Sequence, residues 1–188
     1  MFKFNSKLNN EYEKYLKILK PTNETKLICA QIRLFRYTER KNVPLFWQFI
    51  KEQFLKKNLN GSTDYKVFIT SDRPDVVDES FKIFGGHAVG RKANSFHLNY
   101  MSGQGDKCES IMKLVFDFKA LGECDMAVVS HSGFGMVGVL NRANKNYTNF
   151  YVHSNPGEMA KQFWNRINLS FVNFEPSLFY LEFMGGNI

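Results

Sequence analysis

The sequence is poor in the features that mark most function classes at sight. It has three cysteines, Cys29, Cys108 and Cys124, an odd number with no CxxC spacing. That argues against a metal site and against a disulfide framework. No apolar stretch approaches the roughly 18 consecutive residues that a bilayer crossing needs, so no transmembrane segment is expected. Residues 1–20, MFKFNSKLNNEYEKYLKILK, alternate charged and apolar side chains and lack the continuous apolar run of a secretory signal. A signal or anchor, if the native protein has one, lies outside this chain. No GxGxxG follows the first apolar run and no GxxxxGK[ST] occurs anywhere, which argues against a dinucleotide dehydrogenase and a P-loop NTPase. The net charge of +7, from 25 Lys+Arg against 18 Asp+Glu, is spread along the chain without a run of five or more basic residues. That describes a solvated, mildly basic surface, and a nucleic-acid partner is not expected. His87, His97 and His153 have no metal-ligand spacing.

What is present belongs to a globular protein. The chain has 188 residues, 44% hydrophobic, with 19 Phe and 8 Tyr, enough for one domain with a buried core and short for two. Residues 1–20 read as an amphipathic lead-in helix, with Leu8, Tyr12, Tyr15, Leu16 and Leu19 on one face and Pro21 as its stop. Leu27–Arg33 reads as a strand buried on both faces. Asn42 and Pro44 open a helix carrying Phe46, Phe49, Ile50 and Phe54. Asn60-Gly61-Ser62 is a turn and Lys66–Thr70 a second strand. Asp72 is expected to cap the next helix, with Pro74 in its first turn, Val77, Phe81 and Phe84 along it, and Gly85-Gly86 ending it. A short strand at His87–Val89 precedes a polar loop, 92–105. The helix Asp106–Leu121 should bury Ile111, Leu114, Val115, Phe118 and Leu121. Gly122 stops it before a strand at Asp125–Ser130, a tight turn, and a strand at Asn149–His153. Asn155 then caps a helix with Met159, Phe163 and Ile167. Strands alternating with helices imply an α/β fold, a doubly wound and mostly parallel Rossmann-like sheet with helices on both faces.

In such sheets the ligand occupies the crevice beyond the carboxyl ends of the strands. That rule singles out Arg33, Thr70-Ser71-Asp72, the loop near His97, and Ser130–Gly135. In the last segment, Ser130, His131, Ser132, Gly133 and Phe134 lie between a buried strand and a helix start, where small residues admit a ligand and backbone N–H groups favour an anion. An ordinary turn capped by Ser132 is the alternative. SHSGFG is not the G-x-S-x-G of a hydrolase elbow. Arg33 could hold a phosphate in two-point fashion or simply be a charge emerging at a strand end. Asp117 falls about 90° from the centre of the apolar stripe of its helix, where it could accept N–H groups from a base edge or form a boundary salt bridge.

Together, residues 27–140 resemble the C-terminal, donor-binding half of the GT-B fucosyltransferases, the superfamily of α1,6- and protein O-fucosyltransferases. The resemblance rests on QIR at Gln31–Arg33, on VFITSDRPDVVDESFKIFG at 67–85, and above all on MKLVFDFKALGECDMAVVSHSGFG at 112–135. It implies that Arg33 is the catalytic group, binding the β-phosphate of GDP-fucose and stabilising the departing diphosphate. It further implies that Asp117 reads guanine, that Ser132 and Gly133 bind phosphate, and that Asp72 lies near nucleotide or sugar. Gln31 stands where the family has a His that helps to read guanine, and Leu34-Phe35 replace its charged followers.

The expectation is one Rossmann-like nucleotide-sugar-binding domain over residues 1–188, alone or as part of a larger GT-B enzyme. Its partners would be a GDP-fucose or related GDP-sugar donor and a glycan or protein acceptor. Transfer would be inverting and metal-independent, with no cofactor. The alternative is a non-catalytic Rossmann-like module that binds a nucleotide or a protein. Four N-x-S/T sequons, at Asn23, Asn60, Asn146 and Asn168, point to a glycoprotein of the secretory lumen, with a cytoplasmic location as the alternative.

Overall fold

The structure is a computed structural model that describes residues 5–34, 40–60, 63–91, 107–130, 132–142, 148–154 and 163–166. Six strands form one sheet: β1 (Lys26–Ile32), β2 (Tyr65–Ser71), β3 (Ala88–Val89), β4 (Met126–Ser130), β5 (Phe150–Ser154) and β6 (Phe163–Arg166). Their order across the sheet is β3-β2-β1-β4-β5-β6. The first five are parallel, and β6 pairs antiparallel with β5 at the edge. β1 is central, and every residue from Leu27 to Ile32 is buried, which explains why it reads as an unbroken apolar run.

Strand side chains alternate between two cores. Leu27, Cys29, Phe68, Ala127, Val129 and Val152 face one side. There they meet α1 (Ser6–Leu19), α4 (Lys107–Leu121) and α5 (Gly133–Leu140). Ile28, Ala30, Ile32, Val67, Ile69 and Val128 face the other side. That side is covered by α2 (Val43–Phe49), its π-helical continuation Ile50–Asn58, and α3 (Pro74–Phe84). The fold is thus the expected α/β doubly wound, mostly parallel Rossmann-like sheet with helices on both faces.

The lead-in helix belongs to the core. Asn5 caps α1 by accepting the Leu8 N–H, and Tyr12 and Leu19 are fully buried. Tyr12 meets Phe116 edge-on at 5.4 Å and Tyr15 stacks near Phe116 at 6.0 Å between ring centroids. Helix α3 ends on Gly85 at φ 55, a conformation that glycine adopts without strain.

Four expectations need correction. Asp72 does not cap α3: the capping position is Arg73, with no side-chain cap. Ser71 Oγ receives the Arg73 N–H instead, while Asp72 turns back toward β1. Helix α4 is rotated from the expected face. Leu121 is buried as expected, but Lys113, Phe116, Asp117 and Ala120 point inward with it, Leu114, Val115 and Phe118 are only half-buried, and Ile111 is 44% exposed. A paired Lys–Asp couple can be buried where an isolated charge cannot, and Phe116 needs the inward position to meet α1. Phe163 lies in β6 rather than in a helix, its edge strand completing the sheet; Asn155, Met159 and Ile167 are outside the described residues. Finally, Cys29 of β1 and Cys124, just before β4, form a disulfide with Cα atoms 5.9 Å apart. Their sequence separation of 95 carries no spacing signal, and only the pairing of β1 with β4 brings them together.

Candidate functional site

The sheet order reverses between β1 and β4, since chain progression runs outward from β1 through β2 to β3 on one side and from β4 to β5 on the other. At such a switch point the crossovers leave in opposite directions, and a crevice opens beyond the carboxyl ends of the two strands. Gln31 and Arg33 come to this place from β1, and Ser130 and Ser132 from β4.

The two sides are hydrogen-bonded to each other. Ser132 Oγ donates to Gln31 Oε1 at 3.1 Å, and the Arg33 N–H donates to Ser130 Oγ at 2.9 Å. Ser132 also caps α5, accepting the Gly135 N–H at 3.4 Å. The cap is therefore real, and its hydroxyl is shared with Gln31 of β1. Gly135 is required by this arrangement: a Cβ there would lie 2.3 Å from Gln31 Oε1. Around Gly133, by contrast, a Cβ would meet nothing within 4 Å. Phe134 packs on Phe118, with ring centroids 5.7 Å apart. His131 lies outside the described residues.

Arg33 Nε lies 3.4 Å from Asp72 Oδ2, and Asp72 Oδ1 accepts the Leu34 N–H at 2.9 Å. Asp72 thereby fixes both the chain and the guanidinium where β1 leaves the sheet. Ser71 Oγ adds a bond to the Ile32 carbonyl at 2.7 Å.

Asp117 is fully buried and reaches the same end of the sheet from α4. Its Oδ2 accepts from Thr70 Oγ1 at 2.6 Å and from Lys113 Nζ. Thr70 is the register partner of Gln31, so the carboxylate sits beside the β1 side of the crevice. Among the described residues Asp117 Oδ1 has no hydrogen-bond partner. Burial pushes the Asp117 carboxyl up from its ordinary range, against the opposing pull of the Lys113 ammonium, the Thr70 hydroxyl and the Arg91 guanidinium. Arg91 lies over the Phe116 and Tyr15 rings, 5.2 and 5.7 Å from their centroids.

The structure thus brings Gln31, Arg33, Asp72, Ser130 and Ser132 into direct contact around the switch point, with Asp117 one strand away. Sequence reasoning did not find Lys113 or Arg91. Lys113 had a signal, its position four residues before Asp117 on one helix face; Arg91 had none. Among the described residues no cluster of His, Cys, Asp and Glu could hold a metal ion, and no helix is long and apolar enough to cross a membrane. A separate open groove of about 430 Å³ lies on the α2 side, lined by Leu45, Gln48, Phe49, Glu52, Gln53 and Tyr151.

No family profile and no curated protein sequence matches this chain. Solved structures do. A NodZ α-1,6-fucosyltransferase co-crystallised with GDP is similar at a TM-score of 0.54 and 14% identity, over 87% of this chain and 48% of that one. Fucosyltransferase NodZ from Bradyrhizobium gives a TM-score of 0.52 at 13% identity, and the α-1,6-fucosyltransferase soaked with GDP-fucose gives the same values. The fold is fucosyltransferase-like, and the chain spans about half the length of these enzymes.

Proposed function

We propose that this chain is the donor-binding domain of a glycosyltransferase and holds a GDP-sugar, GDP-fucose or a close relative, in the crevice between β1 and β4. The observation that carries this reading is the meeting of Gln31 and Arg33 with Ser130 and Ser132 at the point where the strand order reverses. The fold neighbours that contain GDP or GDP-fucose support it.

In this reading the diphosphate lies against Arg33 and the start of α5, where backbone N–H groups and the helix dipole favour negative charge. The base lies toward α4, where Asp117 offers Oδ1 to the guanine N1–H and N2–H₂ edge. An acceptor hydroxyl of a glycan or protein attacks the sugar C1 from the face opposite the diphosphate and gives up its proton to solvent. The C1–O bond to the β-phosphate breaks with inversion, and Arg33 counters the charge that develops on the leaving group. No cofactor or metal takes part, and catalysis comes from positioning and charge stabilisation. A second reading, a non-catalytic nucleotide- or protein-binding module, is favoured by the engagement of Asp117 Oδ2 with Lys113 and Thr70.

Calorimetric titration of GDP and ADP tests the proposal. GDP should bind more tightly, and Asp117→Asn should weaken GDP selectively by about 1.5–3 kcal/mol, the range of a hydrogen bond to a charged group. Arg33→Ala should weaken both nucleotides alike, because it meets only phosphate. Equal affinity of the wild type for both refutes guanine reading, and binding of neither moves the assignment to the non-catalytic module.

A further inference from the structure

The pole of the domain opposite the crevice carries two of the four sequons. Asn23 lies in the bend between α1 and β1, and Asn60 lies between the π-helical segment and β2, at φ 45. Both residues are exposed, and Asn tolerates the left-handed conformation better than most residues. The two turns adjoin. Thr22 Oγ1 and Thr25 Oγ1 donate to the Asp64 carboxylate at 3.3 and 2.8 Å, and the Lys26 N–H donates to the Asp64 carbonyl at 3.1 Å. Both turns precede the amino ends of parallel strands, so substituents there extend away from Gln31, Arg33 and Ser132 at the carboxyl ends.

A second, independent feature concerns the compartment. Cys29 and Cys124 are joined although both are buried, at 0% and 1% exposure. Two thiols in such a place would pack as small apolar side chains without any bond. Closing them removes two protons and two electrons, which pass to the disulfide of a thiol-oxidising protein, and that chemistry operates in oxidising compartments.

We propose that Asn23 and Asn60 are N-glycosylation sites, used in the same oxidising lumen that closes Cys29–Cys124. The co-reactant is a lipid-diphosphate-linked oligosaccharide. A bond forms between the Asn Nδ2 and the sugar C1, the C1–O bond to phosphate breaks, the lipid diphosphate leaves, and the amide gives up one proton to a base. At Asn23 the step precedes folding of the turn, because the Thr25 hydroxyl that completes the sequon is buried against Asp64 in the finished domain. The glycans then cover the amino-end pole and leave the crevice open.

The test uses the full chain isolated from its own cells, alkylated without reduction, digested, and treated with peptide N-glycosidase in heavy-oxygen water. Asn23, Asn60 or both should return as heavy-oxygen-labelled aspartate. The Cys29 and Cys124 peptides should emerge linked, with Cys108, which is exposed and outside the disulfide, alkylated. Recovery of both asparagines as unmodified residues overturns the proposal, as does alkylation of Cys29 and Cys124 before reduction.

Discussion

Lys113 and Asp117 stand one turn apart on α4, both buried, so each charge is balanced chiefly by the other. Removing one partner leaves an uncompensated charge, which costs about 3–5 kcal/mol, whereas replacing both by apolar residues is often neutral. Lys113→Met should therefore lower stability to urea by about that amount, and Lys113→Met with Asp117→Leu should recover most of it; a single variant as stable as the wild type contradicts the pairing. The sign of the pH effect follows. Asp117 is raised above 3.8 in the folded chain by burial, so its contribution is fully present below that value and falls as pH rises through the folded value. His153 works in the opposite sense. It is buried against Phe46, and burial lowers its pKa from 6.5. The unfolded chain then takes up the proton more readily, so stability is present above 6.5 and lost as pH falls through the folded value. His153→Phe should flatten the fall of melting temperature between about pH 7 and 5; an unchanged slope would show that another group titrates there. Gly135→Ala forces Gln31 aside and should cost about 1–3 kcal/mol, the usual penalty of overpacking. Gln31→Ala in the same chain should return part of that loss, and additive costs in the double variant would show that the two side chains do not meet.

At the scale of elements, the disulfide ties the central strand to the segment leading into its neighbour. It closes a loop with a separation of 95 residues, and on loop-entropy grounds it contributes about 4–5 kcal/mol. A Cys29→Ala, Cys124→Ala double variant should melt well below the oxidised wild type in calorimetry. Equal melting temperatures would show that the bond constrains little. This pairing could not be read from the sequence, because it depends on which strands are neighbours and not on spacing. Helices with a clean stripe were readable. The face of α1 through Tyr12, Tyr15 and Leu19 is the buried face, and α3 starts at Pro74 and stops at Gly85 as its residues demand. The apolar residues of α4 surround most of the helix, so periodicity alone could not locate the inward face. The Lys113–Asp117–Thr70 contacts and the fit of Phe116 against α1 decided it. The edge strand β6 was hidden for a related reason, since FWNR carries no alternation to separate it from a helix.

At the scale of the whole molecule, the alternation of apolar strands and amphipathic helices was enough to give a parallel sheet, but not its order. Only the order β3-β2-β1-β4-β5-β6 places the crevice between β1 and β4. That explains why Gln31, Arg33, Asp72, Asp117, Ser130 and Ser132 could be chosen one at a time, from strand ends and from the resemblance, while Lys113 and Arg91 could not. Their place depends on packing between α4, α1 and the sheet. The central claim is that a nucleoside diphosphate binds where the strand order reverses, and amide chemical-shift mapping with GDP on the assigned chain tests it most directly. The amides of Gln31–Arg33, Thr70–Asp72 and Ser132–Gly135 should move together with a single saturating dependence on GDP. Shifts confined to the groove around Phe49 and Tyr151, or no saturable shifts at all, would contradict it.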